Sequence, residues 1–291
     1  MATEKATSAK QPVWLITGCS TGFGHELAKQ ALMRGFRVAA TAREPDELKS
    51  LLSLGDALTF RLDVTDHRQI ESAVKAAEGK FGQIDVLVNN AGIGYFAAIE
   101  EGEIDQIRRL FEINVFGLSR MIQTVLPGMR RKRSGLIVNL SSIGGICGMP
   151  ALGYYNATKF AVEGLSEALR GEVTPLGLKV MVVEPSGFRT DWAGRSAEES
   201  PRKISDYAAT ADAGRTRLRD ISGKQPGDPV CAAKAIIDAA LLPEPPHHLL
   251  LGNDAYEMAM SKVEELRKEF EAGETVARAA DYPGSRRNQA A

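Results

Sequence analysis

The residues best suited to chemistry lie in GYYNATKF, 153–160, where two adjacent tyrosines precede a lysine. On a helix, side chains four apart share a face and those five apart do not. Tyr155 and Lys159 are four apart, whereas the residue four beyond Tyr154 is Thr158. Tyr155 is therefore the candidate acid/base, and Tyr154 a packing or wall residue. A free phenol titrates near 10, too high for a base at neutrality. A neighbouring ammonium favours the phenolate and lowers that value. Such a pair can exchange a proton with an alcohol or carbonyl oxygen. Just upstream, NLSSIGG (139–145) offers two serine hydroxyls, one of which could donate to a substrate carbonyl. A Tyr-x-x-x-Lys pair alone is more often a packed tyrosine beside a solvated lysine, so its neighbours decide.

The second constellation is TGCSTGFG, 17–24, with Gly18, Gly22 and Gly24 around Ser20, Thr21 and Phe23. Glycine accepts turns closed to other residues and lets a phosphate reach the backbone. A following helix presents unpaired N–H groups and the positive end of its dipole. In NAD sites an acidic residue about 20 positions on bonds the ribose 2′-hydroxyl. Here Ala42 stands where that acid is expected, and Arg43 follows. Arginine is a planar, permanently charged fork suited to a phosphate. The pattern predicts NADP(H) over NAD(H). NAD(H) use stays open because Glu44 could reach a ribose if the turn is displaced. Asp63, followed by Val64, could accept from an adenine amino group. The alternative for Asp63 is a helix N-cap, a role Thr65 or Asp66 fits better.

These residues need a scaffold, and the apolar runs describe one. VWLIT (13–17), FRVAATA (36–42), LTFRL (58–62), IDVLV (84–88), GLIVNL (135–140), LKVMVV (178–183) and HLLLG (248–252) are nearly continuous. Strands buried on both faces read this way. Helical patterns fall between them, at about 24–34, 45–54, 66–80, 103–128, 152–174 and 228–241. Alternation of this kind predicts an α/β fold: a doubly wound, seven-stranded parallel sheet with helices on both faces, in one domain. We expect residues 1–11 to form a flexible tail, 12–255 the domain, and 256–291 a terminal helix and tail. The stretch at about 191–227 carries no strand pattern. It falls after the sixth strand, where such sheets bind ligands, and is expected to be a substrate loop.

A net charge of −1 excludes a basic field for nucleic acid or anionic membrane. No apolar run approaches the ~20 residues of a membrane helix. The polar start MATEKATSAKQP has no signal-like core, so a cytoplasmic location is expected. Cys19, Cys147 and Cys231 are odd in number and far apart, which argues against a disulfide framework. His25, His67, His247 and His248 lack metal-ligand spacing, and the last two are expected in a turn after PEPP. No metal is expected. The basic run RRKR (130–133) suits a helix C-terminus.

Taken in order, T-G-x-x-x-G-x-G at 17–24, NNAG at 89–92, Asn114, the serines at 141–142, Y-x-x-x-K at 155–159 and EPSGFRT at 184–190 resemble the short-chain dehydrogenase/reductase family. The resemblance spans roughly 12–255, and its texture is similar to hydroxysteroid- and retinol-dehydrogenase-like bacterial members. It implies a Rossmann fold and a catalytic set of Asn114, Ser142, Tyr155 and Lys159. Ser142 is preferred over Ser141 because it lies thirteen residues before Tyr155. Lys159 would hold the nicotinamide ribose and depress the Tyr155 pKa, and Asn114 would hold a proton-relaying water. Asn90, with Ala91 and Gly92, would fall near the adenosine ribose or brace the sheet. Pro185, Ser186 and Thr190 would border the nicotinamide, with Thr190 at its carboxamide. The family usually has Pro-Gly where this chain has Pro185-Ser186, which puts the local turn in question. Gly187 is expected to take over the flexible position.

The implied reaction is hydride exchange between nicotinamide and a medium-sized apolar ketone, aldehyde or secondary alcohol, run as a carbonyl reduction. The expected pocket walls are Tyr95, Phe96, Ile143, Met149, Leu152, Phe188 and Trp192, with Cys147 able to join them. The expected partners are this small molecule and copies of the chain, as a homodimer or homotetramer through the helices at about 103–128 and 152–174. The rival readings are a non-catalytic dinucleotide-binding sensor and a different reaction on the same fold, such as epimerisation or dehydration.

Overall fold

In the computed structural model, residues 11–282 are described. The expected N-terminal tail, apart from Gln11, and the end of the C-terminal tail lie outside the described residues. In chain order the elements are β1 Val13–Ile16, α1 Gly22–Met33, β2 Arg37–Ala42, β3 Ala57–Arg61, α2 His67–Phe81, β4 Val86–Asn89 and β5 Gly94–Phe96. Then come α3 Ile104–Phe111, α4 Leu118–Lys132, β6 Gly135–Leu140, α5 Gly153–Val173, β7 Leu178–Pro185, β8 Ala197–Glu199, α6 Ala213–Asp220, α7 Pro229–Ala240, β9 His248–Leu251 and α8 Asn253–Ala279.

Seven strands form one sheet in the order β3-β2-β1-β4-β6-β7-β9, and every pairing is parallel. Successive strand side chains point to opposite faces, so each strand feeds two cores. Trp14, Ile16, Val88 and Val183 pack with Leu27 of α1 and Ile236 of α7. Val13, Leu15, Leu87 and Ile137 pack with Val74 of α2, Val125 of α4 and Val162 of α5. Near-continuous apolar strands are the consequence. The sheet order reverses between β1 and β4, and both strands end at the same edge. Ligands of such sheets bind at that crevice.

Several local features depart from the sequence expectation. The segment at 45–54 is a 3-10 turn, Pro45–Ser53, rather than an α-helix. The long helix at 103–128 is two helices, α3 and α4, joined by a π-helical turn at Glu112–Gly117. The stretch 191–227 contains β8, which pairs parallel with β5 (Gly94↔Ala197), and then α6. Three-residue strands are too short to show a period, and AEE is polar. Asp66 is the N-cap of α2, accepting from the Arg68 and Gln69 amides. His248 opens β9 rather than sitting in a turn. Among the described residues, no helix is long and apolar enough to cross a membrane.

Candidate active site

The glycine turn sits at the carboxyl end of β1. Gly18 has φ +70°, and a Cβ on it would fall 2.9 Å from Ala91 Cα. A Cβ on Gly24 would fall 2.2 Å from Gly18 O, so the first turn of α1 packs directly onto the loop. Asn90 ties the turn down: its Nδ2 donates to Thr17 O (2.8 Å) and Gly18 O (2.9 Å). Thr17 Oγ1 accepts from the Asn90 and Ala91 amides, both at 3.0 Å. Asn90 therefore braces the loop. Thr21, at the N-cap of α1, makes no side-chain cap. The first-turn N–H groups of α1 are left for another acceptor, which suits a phosphate.

A cavity of about 1040 Å³ runs from this loop across the sheet edge. At one end it is lined by Gly18, Ser20, Thr21, Gly22 and Phe23, with Arg43, Glu44, Asp63 and Val64 beyond them. Asn90, Ala91 and Gly92 line its middle, and Pro185, Ser186 and Thr190 the far side. Gly24 lies beneath the loop and does not reach the cavity. Arg43 is exposed. Asp63 Oδ1 accepts from the Thr65 amide (2.9 Å) and hydroxyl (2.7 Å). Ser186 fits because Gly252, at φ +94°, leaves room for its hydroxyl. Gly187 takes no left-handed conformation, so the special backbone position lies on the facing strand end, not one residue on.

Ser142, Tyr155 and Lys159 meet on the floor of this cavity. Ser142 follows β6 in extended conformation, and its Oγ accepts from the Gly144 amide at 3.0 Å. Tyr155 and Lys159 share the buried face of α5. Lys159 Nζ donates to Leu140 O at 2.7 Å and lies 5.7 Å from the centroid of the Tyr155 ring. Burial pushes the Tyr155 phenol up to about 12, and a hydrogen bond with Ser142 offsets part of this. With burial dominant, the phenol keeps its proton at neutral pH. Burial lowers Lys159 to about 8, against the opposing charge of Glu163.

Asn114 sits in the π-helical turn, where the widened backbone turns it inward. Its Oδ1 accepts from Ile93 N (2.9 Å), and its Nδ2 donates to Ile93 O (2.9 Å) and Thr158 Oγ1 (3.1 Å). Thr158 Oγ1 in turn donates to Tyr155 O at 2.7 Å. Asn114 does not line the cavity. It joins the loop after β4 to the helix carrying Tyr155.

Ile143, Met149, Leu152, Phe188 and Trp192 line the substrate end as expected. The Trp192 ring lies 4.8 Å from that of Tyr155. Three expected wall residues do not line it. Tyr95 is buried with Ala97 and Leu110, and its hydroxyl accepts from Glu103 N at 3.0 Å. Phe96 is core beneath Trp192. Cys147 is buried against Ala255 and Ala259, where burial raises its thiol pKa. Tyr154 also points elsewhere, its hydroxyl donating to Ile99 O at 2.6 Å. The sequence reading missed Leu218 and Ile221 of the 191–227 excursion and Met258 of α8, which close the apolar end. Their only signal was i, i+3 apolar spacing within a polar segment.

The excursion is fastened to the body. Glu101 and Arg215 are both buried and form an ion pair, with Asp212 also 2.7 Å from the guanidinium. Glu101 accepts from the amides of Ala98 (3.1 Å) and Ile204 (2.7 Å). Arg219 donates to the carbonyls of Ala193 (2.7 Å), Gly194 (2.9 Å) and Ala197 (3.1 Å), gripping the turn that carries Trp192.

Residues 12–201 match the family model described as short chain dehydrogenase. The chain is 41% identical over 257 residues to the oxidoreductase BOA17 of Botryotinia fuckeliana, covering 87% of this chain and 93% of that protein. The crystal structure of a short-chain dehydrogenase from Streptomyces avermitilis superposes with a TM-score of 0.87 at 38% identity, covering 93% of this chain and all of that one. The alcohol dehydrogenase of Thermococcus sibiricus, complexed with 5-hydroxy-NADP, gives a TM-score of 0.69 at 25% identity, covering 83% and 96%. The 3-ketoacyl-(acyl-carrier-protein) reductase of Brucella melitensis, complexed with NADH, gives 0.68 at 28%, covering 83% and 97%.

Proposed function

The chain belongs to the short-chain dehydrogenase family of oxidoreductases, and we propose that within it this protein is an NADP(H)-dependent carbonyl reductase acting on apolar ketones or aldehydes. The observation that carries the reading is the meeting of Ser142, Tyr155 and Lys159 on the floor of one cavity that continues to the glycine turn. The residues present fit a nicotinamide dinucleotide. The uncapped start of α1 and the tight turn at Gly18 suit its pyrophosphate. Arg43 is a free guanidinium for a 2′-phosphate, Asp63 borders the adenine end, and Lys159 with Tyr155 would hold the nicotinamide ribose. When bound, the dinucleotide supplies a hydride from its nicotinamide to a carbonyl carbon.

The protein's own residues then answer the charge growing on the carbonyl oxygen. Ser142 and Tyr155 donate hydrogen bonds to it, and Tyr155 gives up its proton. A phenol pushed up to about 12 by burial keeps its proton across the physiological range, which suits a donor to the carbonyl oxygen. The Lys159 ammonium stabilises the phenolate left behind. Thr190 serves the carboxamide. Leu152, Trp192, Leu218 and Met258 form an apolar surface for the substrate and exclude water from the oxygen. A homodimer or homotetramer in the cytoplasm completes the reading. Its helix faces keep Phe116, Phe160 and Leu165 exposed, and its three cysteines are unpaired.

The test is loss of the cofactor's near-ultraviolet absorbance with NADPH, then NADH, over a panel of apolar carbonyls, for wild type and Tyr155→Phe. Wild type should turn over with NADPH. The variant should still bind the dinucleotide but lose roughly two to four orders of magnitude in rate, the usual contribution of a positioned acid. Undiminished turnover by the variant would remove Tyr155 from the mechanism. Binding without any wild-type turnover would instead favour a dinucleotide sensor.

A further inference from the structure

One helical turn beyond Lys159 on α5, Glu163 stands between that lysine and a second set of titratable groups. Its side chain is 16% exposed. Both carboxylate oxygens are shut off from solvent and lack a hydrogen-bond partner. The Ser141 hydroxyl, also buried and unbonded, lies alongside: a Cβ on Gly145 would fall 2.6 Å from it and 2.8 Å from Glu163 Oε1. Opposite stands Glu184 of β7, fully buried, accepting from Leu249 N at 2.9 Å and bonded to His248 Nδ1 at 2.6 Å. His248 Nδ1 is 4.0 Å from Glu163 Oε2, and its side chain is 58% exposed.

Two carboxylates held this close out of water need positive charge nearby. Burial pushes the Glu163 carboxyl up, and Ser141, His248 and Lys159 each pull it back. Burial likewise raises Glu184 to about 7, with His248 opposing and the Glu163 charge adding to the rise. The charged and titratable groups facing this cluster are Lys159 from α5, Glu184 from β7 and His248 from β9. Glu167 and Arg170 of α5 face His247, and Lys262 and Glu265 of α8 face Cys147 instead. Lys159 is thus the cation on the active-site side of Glu163, and His248 the group on its solvent side.

We propose that Glu163 is a positioning residue for the acid/base centre, its buried carboxylate being the counter-charge that keeps Lys159 an ammonium. The proposal rests on the reading of Lys159 as the group that holds the dinucleotide ribose and stabilises the Tyr155 phenolate. Burial alone drives Lys159 toward its neutral form, and Glu163 is the group that opposes this. The Ser141 hydroxyl beside it can serve an amide oxygen as well as a carboxylate, so Glu163→Gln keeps the shape and removes the charge. The lysine should then lose its proton at lower pH. Whatever needs the ammonium should fall away at lower pH with it.

The experiment compares wild type, E163Q and E163D between about pH 6 and pH 9.5, a range below the ordinary lysine titration that brackets the lowered value of Lys159. NADPH affinity is read from tryptophan fluorescence, which needs no substrate, and kcat and KM from turnover. E163Q should match wild type at low pH, and its alkaline fall in affinity and kcat should begin about one pH unit earlier, a roughly tenfold loss near pH 8.5. E163D, which retains the charge, should fall between the two. If E163Q does not fold, E163D carries the test with a smaller displacement in the same direction. An unmoved alkaline fall, or a loss equal at every pH, would overturn the proposal in favour of a merely structural glutamate. If wild type binds NADPH but reduces no carbonyl, the reductase reading fails while the affinity profile still decides Glu163. If wild type binds no dinucleotide, both fail.

Discussion

Arg215 offers the sharpest test of how the substrate end is built. It is 2% exposed, its ion-pair partner Glu101 is fully buried, and the two lie on opposite sides of the seam between the 191–227 excursion and the body. Arg215→Met removes the cation and leaves a buried carboxylate uncompensated. Breaking a buried pair from one side costs about 3–5 kcal/mol. At about 1.4 kcal/mol per factor of ten, that favours opening of the excursion by roughly two to three and a half orders of magnitude. Glu101 also accepts from Ala98 N and Ile204 N, so removing its oxygens would strand two amides. E101Q/R215M discharges the site and keeps an acceptor for one of the two amides, and should recover part of the loss. The assay is limited trypsinolysis, since Arg202, Lys203 and Lys224 lie in the excursion, alongside thermal unfolding. R215M should be cut much faster there than wild type, with substrate KM raised more than NADPH affinity is lowered. A single variant cut at the wild-type rate, or a double variant no better than R215M, would refute the reasoning. Glu101 adds a pH signature. Its carboxyl is held below the usual range despite burial, by the Ile204 and Ala98 amides and by Arg215. A depressed carboxyl contributes stability that is present above its unfolded value, near about 4.3, and lost as pH falls through the folded one. The excursion should therefore loosen in acid.

Arg43→Ala should weaken NADPH binding by roughly 10–100-fold, the loss of about 1.5–3 kcal/mol from a charge-assisted hydrogen bond, and leave NADH binding nearly unchanged. Equal effects on the two dinucleotides, measured by titration, would show that Arg43 does not read the 2′-phosphate. The chain should sediment as a dimer or tetramer, and Phe160→Glu should shift it toward monomer; a monomeric wild type at micromolar concentration would dismiss the helix-face assembly.

Most of the scaffold was legible because its physics is local and repeated. Strands buried on both faces must be apolar nearly throughout, so the five central strands could be read from composition and length, and the half-buried edge strands β3 and β9 from their shorter apolar runs. The glycine turn was legible because Gly18 and Gly24 meet backbone where a Cβ would stand. What escaped depended on distant neighbours. INVFG at 113–117 reads as plain helix, and its π turn follows from Asn114 bridging Ile93 and Thr158, partners 21 and 44 residues away. Tyr95 reads as a pocket wall by its place after NNAGIG, yet its hydroxyl is committed to Glu103 N. The depth at which the Tyr155 phenol lies was hidden for a related reason. The i, i+4 spacing reveals a nearby ammonium, but it does not reveal how deeply the phenol is buried.

The same contrast explains how the site divides. The floor that handles the proton, Ser142, Tyr155 and Lys159, rises from β6 and α5, elements fixed by the two cores. The roof is contributed by the excursion, whose sequence is polar and irregular. The two are mechanically joined, because Arg219 grips the turn at 193–197 and Trp192, immediately before that turn, lies against Tyr155. Substitutions that change substrate choice on this roof therefore press on the acid itself. Leu218 packs in the same cluster as Tyr155, Trp192 and Ala197, whereas Ile221 lines the cavity outside that cluster, so Ile221 is the position where the pocket can be reshaped while Tyr155 keeps its support. A change at Trp192, by contrast, should move kcat and KM together.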